Sequence, residues 1–100
     1  MRISYERSGG LMGRKLNFSV DLDELPSDQA ETLNRLLQQA DYFNLPENLV
    51  SRAVPDEFNY SITVETDKQR HTVRVSDTSM TDPLRLLLDD LSKRARTGKA

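Results

Sequence analysis

Phe58-Asn59-Tyr60-Ser61-Ile62-Thr63-Val64-Glu65 alternates apolar and polar side chains, Asp67-Lys68-Gln69 follows, and His71-Thr72-Val73-Arg74-Val75 alternates again. A period of two puts successive side chains on opposite faces of a strand. Phe58, Tyr60, Ile62 and Val64 therefore share one face with His71, Val73 and Val75. Asn59, Ser61, Thr63 and Glu65 share the other with Arg70, Thr72 and Arg74. A hairpin with one apolar face needs a cover on that face only, which is the signature of an antiparallel sheet with helices on one side.

Working outward, the first half of the chain states the same layout. Ile3 and Tyr5 alternate with polar neighbours, as do Leu16, Phe18 and Val20. Pro26-Ser27-Asp28 opens a helix with Ser27 expected as N-cap. Leu33, Leu36, Leu37, Ala40 and Phe43 form its apolar stripe, with Pro46 expected to stop it. Residues 46–57 read as a long connection. Thr81 or Asp82 caps the last helix, Pro83 takes its first position, and Leu84, Leu87, Leu88 and Leu91 are its buried stripe. The expected architecture is α+β: a two-layer ββαββα fold over residues 1–100, with a four-stranded antiparallel sheet and two helices packed on one face.

Composition narrows the function. Apolar residues make up 36% and charged residues 30% of the chain, without a run long enough to span a membrane. The N-terminus lacks the apolar core of a signal peptide and there is no cysteine, so a cytoplasmic protein independent of disulfides is expected. Residues 21–50 sum to −6, while residues 1–20 sum to +3 and residues 81–100 to +2. An acidic first helix argues against a nucleic-acid binder, and Lys93, Arg94, Arg96 and Lys99 suit the end of a helix, where cations complement its dipole. With His71 the only histidine, a zinc site is not expected, and His71 reads as a hydrogen-bonded residue at the core edge. Asp89 and Asp90 are adjacent on a helix and point apart, and no phosphate-cradling glycine motif occurs. No catalytic, metal or cofactor site is expected, so the chain reads as a binding module, expected as a monomer.

The binding surface is sought in Ser8-Gly9-Gly10-Leu11-Met12-Gly13, between two strand-like runs. Glycines there mark a hairpin tip, and Leu11 and Met12 are large apolar side chains carried on it. The alternative is an adaptor that uses the polar sheet face or an exposed edge strand.

Several segments resemble one known family. They are Tyr5-Glu6-Arg7-Ser8-Gly9-Gly10, the stretch from Leu36 ending in Ala40-Asp41-Tyr42-Phe43-Asn44-Leu45-Pro46, the block from Pro55-Asp56 to Thr63-Val64-Glu65, His71-Thr72-Val73-Arg74-Val75, and Pro83-Leu84-Arg85-Leu86-Leu87-Leu88-Asp89. In this order the chain resembles emfourin-like proteins, small inhibitors of thermolysin-type (M4) metalloproteases such as protealysin. The resemblance implies a non-enzymatic protein that blocks the cleft of a zinc endopeptidase. From the chemistry of its side chains, the loop, with Ser8, Gly9, Gly10, Leu11, Met12 and Gly13 flanked by Arg7 and Arg14, is expected to enter that cleft. Leu11 or Met12 would then fill the primed-side pocket, because thermolysin-type enzymes favour bulky apolar side chains just after the scissile bond. A competing mode uses Met1 and Arg2 at the N-terminus.

Overall fold

The computed structural model describes residues 1–9, 15–50 and 57–97. The alternating segments form four strands: β1 (Arg2–Gly9), β2 (Leu16–Asp21), β3 (Phe58–Glu65) and β4 (Arg70–Ser76). They make one sheet in the order β2-β1-β3-β4, with every neighbouring pair antiparallel. The helices α1 (Ser27–Gln39) and α2 (Asp82–Thr97) complete the expected ββαββα order. Leu33 and Leu37 of α1 and Leu84, Leu87, Leu88 and Leu91 of α2 are buried with Ile3, Tyr5, Val20, Ile62, Val64, Val73 and Val75. These strand residues all belong to one face, so both helices cover the same side of the sheet. Arg94 ties the helices together, bonding Asp90 at 2.6 Å on α2 and the Gln29 side chain at 2.9 Å on α1.

The helix ends depart from the sequence expectation. Ser27 is the first helical residue rather than the N-cap; Pro26 holds the cap position without a side-chain bond. The Pro26 carbonyl accepts from the Gln29 and Ala30 N–H groups, each at 3.0 Å, since proline lacks a donor but keeps its acceptor. Helix α1 also ends well before Pro46. Asp41 adopts a left-handed conformation (φ 51°, ψ 47°), which aspartate tolerates better than most residues, and Tyr42–Asn44 follow as a 3-10 turn. The Asn44 amide donates to the Asp41 carboxylate at 2.8 Å and holds that turn. Phe43 thereby leaves the α1 stripe and packs edge-on against Tyr42, 5.4 Å between ring centres. On α2, the Thr81 hydroxyl caps the Leu84 N–H at 3.3 Å, which makes Asp82 the first helical residue and Pro83 the second.

The reversal at Asp41 positions Tyr42 under the sheet. Its hydroxyl lies 2.6 Å from the Ile62 carbonyl and 2.7 Å from the His71 carbonyl, and burial pushes the phenol pKa up. The His71 Nε2–H donates to the Leu45 carbonyl at 2.7 Å, as expected of a core-edge histidine. The chain then runs along the outer edge of β4. The Arg74 N–H donates to the Glu47 carbonyl and the Leu49 N–H to the Arg74 carbonyl, both at 2.8 Å. Part of the expected connection is thus a parallel bridge, Asn48 beside Arg74.

At the opposite end of the sheet, side chains lash β3 to the turn after β4. The Glu57 carboxylate accepts from the Thr78 N–H (2.6 Å) and hydroxyl (2.5 Å). Asp77 accepts from the Phe58 N–H at 3.2 Å and the Tyr60 hydroxyl at 2.8 Å. Gly9, which pairs with Phe58, has φ +89°, and a Cβ there would stand 2.7 Å from the Glu57 carbonyl oxygen.

Gly9→Ala therefore meets both an unfavourable φ and backbone in its way. It should cost about 1–3 kcal/mol, read as a lowered Tm in thermal melts. For Glu57, the Thr78 hydrogen bonds hold the carboxyl pKa below its ordinary 4.5. A lowered pKa gives stability that is present above the unfolded-state value and is lost as pH falls through the folded-state value. The Tm gap between the parent and Glu57→Gln should be widest near neutral pH and narrow as the pH drops through 4.5 and below.

Candidate functional site

Arg7 lies in phase with Ile3 and Tyr5 on β1, so the strand period turns it to the helix-covered face. The register sets it between Leu16 on β2 and Tyr60 on β3. Ile3, Tyr5 and Ile62 are closed off there, whereas Leu16, Phe18, Phe58 and Tyr60 remain half-buried. The cover thus thins towards the first hairpin and leaves a corner of aromatic rings partly open.

The Arg7 guanidinium sits over the Phe58 ring, 4.6 Å from its centre. Tyr60 follows Phe58 at 6.5 Å between ring centres, and Tyr5 follows Tyr60 at 6.3 Å. The Tyr5 and Ser92 hydroxyls are 2.6 Å apart and tie this row of rings to α2. Burial raises the Tyr5 phenol pKa, opposed by the Ser92 hydrogen bond and by the cations Arg7 and Arg96. Burial also raises that of Tyr60, and its bond to the Asp77 carboxylate adds to the shift. Both phenols therefore keep their protons at neutral pH, and Tyr60 donates its own to the Asp77 carboxylate.

Charge in this corner is unevenly satisfied. Asp77 and Glu57 are held by the bonds described above, and an Arg85 Nη donates to the Asp77 carbonyl at 3.2 Å. Arg7 differs, because its Nε is buried without a hydrogen-bond partner among the described residues. The ion pairs among the described residues are the Met1 amine with Asp23 (3.9 Å) and Arg94 with Asp90 (2.6 Å), and neither includes Arg7.

The expected contact residues fall into two separate places. Arg7, Ser8 and Gly9 lie at the hairpin end of β1, in or beside the aromatic corner. Met1 and Arg2 lie at its other end; six residues of strand at about 3.4 Å each put Arg2 roughly 20 Å from Ser8. Met1 is also used by the fold: its carbonyl accepts the Leu22 N–H at 2.9 Å and its side chain packs on the core. Gly10, Leu11, Met12, Gly13 and Arg14 lie outside the described residues. Gly9 and Lys15, which bracket them, stand at the corner. Phe58, Tyr60, Arg85 and Arg96 were not anticipated here. The signal for the corner was the phase of Arg7, a cation written on the apolar side of an alternating strand.

The outer sheet face is uniformly polar. The register lines up Ser19, Ser4, Thr63 and Thr72 across all four strands, and the Thr63 and Thr72 hydroxyls are 2.8 Å apart. A shallow hollow of about 360 Å³ lies over Ser4, Glu6, Asn17, Ser19, Ser61 and Thr63. Of the two edges, β4 is bridged by Asn48 and β2 has no strand beyond it among the described residues. Among these residues no group of three or more His, Cys, Asp or Glu could hold a metal ion, and no helix is long and apolar enough to cross a membrane.

What this arrangement can do is bind, through stacked rings and a directed cation beside a loop. The comparison with known families agrees. No curated protein and no solved structure matches the chain. The family model described as Emfourin matches residues 5–92, a span that begins and ends on the Tyr5–Ser92 hydrogen bond. Its members are protease inhibitors, not enzymes, and act on metalloproteases. The chain belongs to the emfourin family.

Proposed function

We propose that the target is a thermolysin-type (M4) zinc metalloprotease and that the loop from Ser8 to Gly13 enters its active-site cleft. Leu11 or Met12 takes the primed-side pocket, and Arg7 and Arg14 steer the approach to an acidic cleft. The observation that carries this reading is the separation along β1. Met1 and Arg2 lie too far from the loop to fill the same pocket, and Met1 is engaged in holding the first strand to Leu22. The hairpin end, by contrast, has a rigid base at Gly9 against Glu57 and a half-open aromatic corner. A rigid base limits the ordering cost of binding. Inhibition needs no chemistry from the inhibitor: a loop held out of register with the attacking water persists uncleaved.

Peptidase activity of thermolysin and of a protealysin-like enzyme, titrated with the protein, tests this directly. Stoichiometric loss of activity that spares an unrelated zinc peptidase is the expected result. Leu11→Asp combined with Met12→Asp should raise the inhibition constant at least about tenfold, as expected for charge placed in an apolar pocket, with little change in Tm. Inhibition by this variant equal to the parent's would move the contact to Met1 and Arg2. No inhibition at micromolar excess of folded protein would favour an adaptor that uses the polar sheet face or the open β2 edge.

A further inference from the structure

We infer that Arg7, stacked on Phe58 beside Tyr60, receives a carboxylate of the protease, an Asp or Glu side chain at the rim of its cleft. This rests on the inhibitor reading above and names the chemistry of a second contact, next to the loop but separate from it.

Arg7 leaves hydrogen-bonding capacity unused among the described residues. A guanidinium carries five N–H donors in a planar fork that matches a carboxylate. The Arg7 Nε is closed off without an acceptor among the described residues, and an unmade hydrogen bond in a buried site is costly. The carboxylates at this end are already engaged: Asp77 with Phe58 and Tyr60, Glu57 with Thr78. Arg85 is spent on the Asp77 carbonyl, and Arg96 adds a second positive charge near Tyr5. Among the described residues the corner therefore holds surplus cation and occupied anion, and the complementary group we assign to it is a carboxylate from outside. Stacking on Phe58 holds the guanidinium plane before the partner arrives, which favours a fork over a diffuse charge contact. With Nε closed off, the carboxylate meets the stacked fork end-on, through its two Nη groups. Arg7 lies two residues before Gly9, so the contact falls at the margin of whatever cleft takes the loop.

Inhibition of thermolysin measured at low and high NaCl, with the parent, Arg7→Gln and Arg7→Lys, decides the matter. Arg7→Gln should weaken inhibition by about 10–100-fold and flatten its salt dependence, with Tm close to the parent's. Arg7→Lys keeps the charge and stem but loses the fork and the stacking; it should weaken inhibition less and retain the salt dependence. It also covers the case in which the glutamine variant fails to fold. Parent-like inhibition and salt dependence in the glutamine variant would overturn the inference while leaving the inhibitor reading intact. An Asp56→Asn variant that weakens inhibition as much as Arg7→Gln, with no added loss in the double variant, would also overturn it by giving Arg7 an acceptor in its own chain. A parent that does not inhibit thermolysin-type enzymes removes the inhibitor reading, and the inference with it.

Discussion

The pairing of β1 with β3 joins the two hairpins into one sheet, and everything else is referred to it. It brings Gly9 against Phe58 and Arg2 against Glu65, residues that lie far apart in the chain. Closing so long a loop costs chain entropy before any contact is made, so a deep core must offset it. Ile3, Ile62 and Val64, all fully buried, sit on that pairing, and leucines from both helices share their core. The same register sets Arg7 opposite Tyr60 and brings the Gly9 backbone against Glu57. The core and the open corner are two ends of one ladder.

Much of this was written in the chain because it follows from one-sided burial. A strand covered on one face must alternate, and a helix lying on a sheet must repeat its leucines at helical spacing. Phe58 to Val75 and Leu84 to Leu91 do both. What was not legible depends on contacts between distant residues. The left-handed turn at Asp41 ends α1 early because Tyr42 finds carbonyls on β3 and β4 to meet. Nothing local marks Asp41 as the stopping point while Pro46 lies close by. Glu47 to Leu49 carry no strand pattern, and they pair only because the β4 edge is within reach. Arg7 was noticed for its charge next to the glycines. That it lies on the apolar side follows from its phase, but that a ring waits beneath it follows from the β1–β3 register.

The loop residues have their case in chemistry rather than geometry, and the scaffold clarifies what they are attached to. A binding loop acts through the stiffness of its base. Here the base is a glycine in a conformation other residues avoid, next to backbone that Glu57 and Thr78 tie to the turn beyond β4. A protein that blocks an enzyme without reacting with it needs little more: a stable framework, a short presenting segment, and polar groups that fix its orientation.

The bridge from Asn48 to Arg74 has a consequence for assembly. Sheets with two bare sides can add copies without limit, which is how fibres grow. In this molecule part of one side is occupied by the chain's own backbone, and among the described residues β2 is the side without a neighbour. A strand adding along β4 would have to displace the backbone bonds between Arg74 and Glu47 and Leu49. Continued edge addition needs both sides, and three residues of what reads as linker, Glu47 to Leu49, stand in its way on one of them.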